Sequence, residues 1–154
     1  MISLSDCLDI TKLKKLCEEF YKTFEVPHGI MDLDGSWVVT EGWQRACTGY
    51  FRQHPYCEEL CIKSDGRILG KINDNIPLEY ATDTCDHGLE HVCYPIVVRG
   101  QRIGTFWLGQ FFYESPDLEM YRSIARKYSF DENDFLEVIA SSPVISRDYV
   151  DKLM

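Results

Sequence analysis

Two strand-like runs, Glu90–Val98 and Arg102–Tyr113, stand either side of Arg99-Gly100-Gln101, and they constrain the fold more than any other feature. A connection this short makes the two runs a hairpin. Side chains alternate along a strand, so Ile103, Thr105, Trp107, Gly109 and Phe111 are predicted on one face, and Gly104, Phe106, Leu108, Gln110 and Phe112 on the other. Gly104 and Gly109 leave room on both faces, for close packing or for a ligand.

The rest of the chain supplies partners for this hairpin. Leu13, Leu16, Phe20 and Phe24 fall near helical spacing, which predicts an amphipathic helix over Asp6–Phe24, capped by Ser5 or Asp6 and closed before Pro27. Asp34-Gly35 lies between the apolar runs Gly29–Leu33 and Trp37–Thr40, the pattern of a first hairpin. The later ligands of a calcium loop are missing there. A short helix carrying Cys47 is expected over Gln44–Arg52, and a second over Tyr56–Ile72, where Cys57 and Cys61 share a face. Asn73-Asp74-Asn75 reads as a turn, Leu78–Thr82 as a third strand and Cys85–Gly88 as a bend. Ser115-Pro116-Asp117 opens a helix to about Tyr128, and Asp131 caps another to about Ala140. Ser146–Met154 reads as the start of a helix that continues in a longer parent. The expected fold is α+β, PAS-like, with a central antiparallel sheet of about five strands flanked by helices. It forms a single domain over 1–154, with its core at 26–113 and terminal helices at 6–24 and 116–154.

Charge and cysteine usage narrow the function classes. The chain of 154 residues has a net charge of −9 and no basic cluster. That argues against direct contact with nucleic acid or an anionic membrane. No apolar run reaches the ~18 residues of a membrane span, and no basic stretch marks a signal peptide. Seven cysteines without a secretion signal predict a reducing, cytoplasmic setting, in which they serve as thiols, metal ligands or redox groups.

The stretch Cys85–Cys93 packs two cysteines and two histidines into nine residues beside the hairpin. Two chemistries suit it. One is a ligand pocket between the sheet and its crossing helices, with Trp43, Cys47, Cys61, Cys85, Tyr94, Phe106, Leu108 and Gln110 as candidate lining residues. A polar amide such as that of Gln110 must find a partner when buried. The other is a zinc, iron or iron–sulfur centre drawn from Cys47, Cys57, Cys61, Cys85, His87, His91 and Cys93. No Cys-x-x-Cys pair supports a zinc ribbon, and no haem-attachment motif is present. Cys85 and His87 are too close in sequence for a nucleophile–base pair, so an enzyme is not predicted.

Several segments, in this order, resemble the PocR sensory domain, a PAS-like module of bacterial and archaeal transcription regulators and histidine kinases. They are Ile30-Met-Asp-Leu-Asp-Gly35, Cys47, Cys61-Ile-Lys-Ser-Asp65, Cys85 with Gly88-Leu89, Pro95-Ile-Val-Val-Arg-Gly100 and Gly104-Thr-Phe-Trp-Leu-Gly-Gln110. Asp86 stands where that family places a histidine directly after the cysteine, and His87 comes one place later. Cys57, His91 and Cys93 look like additions. The resemblance implies a domain that senses a small organic ligand, such as a simple alcohol or other hydrocarbon derivative. It would relay binding through its terminal helices to an output domain, a kinase or a DNA-binding unit. A homodimer through the first or last helix is the expected assembly.

Overall fold

The computed structural model describes residues 3–72 and 79–154. The expected turn at Asn73–Asn75 and the expected strand start at Leu78 lie outside the described residues. Five strands form one antiparallel sheet: β1 (His28–Asp32), β2 (Trp37–Glu41), β3 (Ala81–Thr84), β4 (Glu90–Val98) and β5 (Gln101–Phe111). Their order is β2-β1-β5-β4-β3, which places the late hairpin at the centre and the first hairpin beside it. This is the PAS-like α+β arrangement that the pattern predicts. Arg99 and Gly100, both at positive φ, make the β4–β5 turn.

The expected first helix is in fact two. The chain forms α1 (Leu4–Cys7) and α2 (Ile10–Phe24), with Leu8 and Asp9 between them. Ser3 caps α1, its backbone N–H and hydroxyl both donating to Asp6 at 2.9 and 2.8 Å. Asp9 caps α2 by accepting from the Lys12 N–H at 3.1 Å. A second cap inside one apolar pattern divides it, which periodicity alone does not reveal. The predicted Gln44–Arg52 helix is a π-helical turn, Ala46–Tyr50, followed by a 3-10 turn, Phe51–Gln53. Then come α3 (Pro55–Leu69), α4 (Leu118–Tyr128), α5 (Glu132–Ser141) and α6 (Arg147–Leu153). Asp117, Asp131 and Ser146 cap the last three with side-chain oxygens.

Two bulges in β5 change which side chains share a face. His91 pairs with Gly109 while Glu90 pairs with Phe111, so Gln110 is the extra residue, with φ of 65°. At the other end Ile96 pairs with Gly104 and Val97 with Arg102, so Ile103 is extra. Strict alternation therefore holds only for the middle of β5, and Ile103 and Phe111 do not share the Trp107 face. Phe111 joins Val92, Leu108, Ile145 and Val150. Ile103 joins Leu4, Cys17, Ile30 and Val39. Both groups belong to the face covered by α1, α2 and α6. The opposite face carries Met31, Cys93 and Trp107, packed on Ile68 of α3. The π-helical and 3-10 turns, α3, α4 and α5 share a further cluster built on Phe51, Tyr121 and Phe135.

Candidate functional site

The Trp107 face of the sheet does not close completely against α3 and the π-helical turn. A cavity remains, with about 60 Å3 in which the centre of a water molecule fits. At roughly 10–15 Å3 for each such position, that is room for a molecule of a few heavy atoms.

Three indoles make one corner. Trp37 lies 4.9 Å from Trp43 at 89° and 5.5 Å from Trp107 at 65°, centroid to centroid. These are all the tryptophans of the chain. Gly29 makes the corner possible, because a Cβ there would come within 2.8 Å of the Trp37 ring.

The thiols form another wall. Cys47 comes from the π-helical turn, Cys61 from α3 and Cys85 from the bend after β3, and all three line the cavity. Burial pushes each thiol up, Cys61 to about 12 and Cys47 well above its ordinary value. The backbone N–H groups of His87 and Leu89 favour the Cys85 thiolate, and burial outweighs their effect. The thiols are therefore held protonated, the wrong state for a nucleophile. The bend itself closes with the Gly88 N–H donating to the Cys85 carbonyl at 2.8 Å, at a φ of 88° for Gly88.

Ser64 and Asp65 of α3 connect these walls. The Ser64 hydroxyl is fully buried and accepts from the Asp86 N–H at 3.0 Å, which fixes the Cys85 bend to the helix. Asp65 accepts from Arg52 Nη2 at 2.8 Å, which ties the 3-10 turn to the same helix. His91 of β4 stands between two carboxylates, 3.4 Å from Asp83 and 3.8 Å from Asp65, yet its burial holds the imidazole below its usual range. Asp83 is held down to about 2, where hydrogen bonds from Arg67, Lys71 and His91 overcome the opposing cost of burial. His87 stacks on Phe51 at 4.0 Å, with Nε2 2.9 Å from the Cys57 carbonyl.

Of the lining residues expected from sequence, Trp43, Cys47, Cys61, Cys85 and Gln110 come together here. Gln110 arrives through its bulge, which turns it away from Leu108 and lets its Oε1 accept from the Gln44 N–H. Tyr94, Phe106 and Leu108 do not line the cavity. They stand opposite Ile30 or beside it on the other face, where Phe106 and Leu108 pack beneath α2 and α6. Of the expected metal ligands, His87 and His91 line the cavity with the three thiols, while Cys57 and Cys93 lie outside it. Among the described residues no three Cys, His, Asp or Glu side chains converge in a metal-binding group. Trp37, Arg52, Asp65 and Trp107 line the cavity without having been singled out. Asp65 already sat at the end of the Cys61-Ile-Lys-Ser-Asp65 segment; Arg52 carried no local signal, because its partner lies across the break at Pro55.

The family model of the PocR sensory domain, described as the sensory domain found in PocR, matches residues 6–154. The chain belongs to that family, and its role is sensory. No curated protein and no solved structure matches it. Among the described residues no helix is long and apolar enough to cross a membrane.

Proposed function

We propose that this domain binds a small organic molecule, a simple alcohol or related hydrocarbon derivative, in the cavity between the Trp107 face and α3. Binding would then be relayed to an output unit in a cytoplasmic signalling or transcription-regulating protein. The observation that carries this reading is the convergence of Cys47, Cys61 and Cys85 with three indoles around a cavity of a few heavy atoms. Such a lining is mostly apolar with a few placed polar groups, the usual composition of a small-molecule site.

Contacts between the π-helical turn and α5 support a relay. Cys47 sits in the π-helical turn, and that turn is fastened to α5. Arg45 donates to both oxygens of Asp134 at 2.9 and 2.8 Å, and the Tyr50 hydroxyl donates to the same carboxylate. A ligand that moves the turn by its differential affinity for two states supplies a coupling of about 1–3 kcal/mol, and α5 is the first element to receive it.

The test is a melting-temperature series with one- to four-carbon alcohols, together with metal analysis of protein purified without oxygen. A rise in melting temperature with the alcohols supports the reading. It should be lost in Cys61→Ser and Cys85→Ser and kept in Cys7→Ser and Cys17→Ser, since Cys7 is exposed and Cys17 lies under the other face. Equal effects at all four positions remove the basis for the site. A stoichiometric metal that disappears in the Cys61→Ser, Cys85→Ser variant would replace it with a metal centre.

A further inference from the structure

Two hydrogen-bond donors on the cavity lining have no acceptor among the described residues. Trp107 is only 4% exposed, and its indole N–H is buried without an acceptor among the described residues. Arg52 uses Nη2 on Asp65, while its Nε–H is buried and likewise without an acceptor. A buried donor left unmatched costs about 1–3 kcal/mol. Both residues line the same cavity, which is where an acceptor able to relieve them would have to sit.

The positive charge on the cavity lining is already paired. Arg52 and Asp65 neutralise each other at 2.8 Å. His28, His87 and His91 are kept neutral and the three thiols protonated, in each case chiefly by burial. Glu90 is the remaining carboxylate on the lining, and it accepts from the Thr84 hydroxyl at 3.0–3.1 Å. An anion would enter with no free cation among the described lining residues to meet it. A cation drawn to Glu90 would leave both N–H donors unmatched. An ion stripped of water without a partner is disfavoured by several kcal/mol.

Resting on the small-molecule reading above, we infer that the ligand is uncharged and is held through an oxygen that accepts hydrogen bonds from Arg52 Nε–H and Trp107 Nε1–H, with its hydrocarbon part against the indole corner. Arg52 and Trp107 are then specificity-determining residues. The donors demand an acceptor and not a hydroxyl as such, so a ketone suffices where an alcohol binds.

Four probes of nearly equal shape separate the possibilities: acetone, 2-propanol, isopropylammonium and acetate. They are titrated into the whole chain, labelled with 15N at its indoles, at pH 7.5. Three tryptophans give three indole N–H signals, and the one lost in Trp107→Phe is assigned to Trp107. Acetone and 2-propanol are expected to bind within about tenfold of each other and at least tenfold more tightly than either ion. Each should move the Trp107 N–H signal downfield. Trp107→Phe, which keeps a ring and removes the donor, should weaken acetone about three- to tenfold, the usual worth of one hydrogen bond. Binding of either ion as tightly as acetone overturns the inference and leaves the small-molecule reading standing. Binding with no movement of the Trp107 signal does the same, and that readout needs no variant to fold beyond the one used for assignment. Failure of all four probes to bind overturns both.

Discussion

The two faces of the sheet are built from the same strands and end in opposite states. Beneath α1, α2 and α6, Leu4, Leu108, Ile103 and Phe111 are fully buried and fill the space between sheet and helices. Beneath α3 and the π-helical turn, the side chains are as large, but the lining is mixed: indoles, thiols, a clamped Arg52–Asp65 pair and donors without acceptors. The first face minimises free energy by close packing. The second gives up part of that packing and part of its hydrogen bonding. Concessions of this kind are characteristic of functional sites. One face holds the fold together and the other is left incomplete.

The largest effect should come from opening the closed face. Phe111→Ala leaves a hole among Val92, Leu108 and Val150 and should cost about 3–5 kcal/mol, seen as a lower urea midpoint. Trp43→Ala at the cavity, where the ring is half-buried, should cost distinctly less. Equal losses would erase the distinction between the faces.

Acid should act on both faces at once, and variants can separate them. The His28 ring packs on the closed face against Phe20 and Phe106 although the residue also borders the cavity, and His87 and His91 line the cavity as well. His28 Nδ1 is 3.0 Å from the Val26 carbonyl, so it carries the proton, and the buried Nε2 is bare. Burial lowers all three imidazoles from 6.5. Above about pH 6.5 they are neutral in both folded and unfolded chains and contribute no pH dependence. Below it the unfolded chain takes up protons that the folded chain refuses, so stability falls by up to about 1.4 kcal/mol per pH unit for each histidine, until the folded values are passed. Urea midpoints at pH 7.5 and 5.5 measure this. His28→Phe should flatten the slope by one histidine's share, and a midpoint that does not move between the two pH values would refute the account.

The smallest effect on stability, and the most informative for signalling, should come from Asp134→Asn. Its bridge to Arg45 is well exposed, so the urea midpoint should scarcely move. Ligand should still bind, but the change in hydrogen-exchange protection that it causes in α5 should disappear. An unchanged response in α5 would show that the route runs elsewhere.

Much of this molecule is legible in the residues. The β4–β5 hairpin, the Asp34-Gly35 turn and the helices capped by Asp131 and Ser146 follow from local rules, because turns and caps are decided within a few residues. Cys47, Cys61 and Cys85 could be grouped through a shared signature. Three things could not be read locally. The split between α1 and α2 depends on a cap that competes with an unbroken apolar pattern. The placing of Tyr94, Phe106 and Leu108 on the closed face depends on which helices cover which side of the sheet, and alternation says only that two sides exist. The approach of Gln110 to Gln44 depends on a bulge, and a bulge is a property of two paired strands. The sequence by itself determined the strands, the turns and the kinds of side chain available for a site. Only the tertiary structure decided which of them face the cavity. Register and helix docking are set by packing between distant segments, and the pairing of Arg52 with Asp65 and the unmatched donors of Arg52 and Trp107 exist only after that packing is complete.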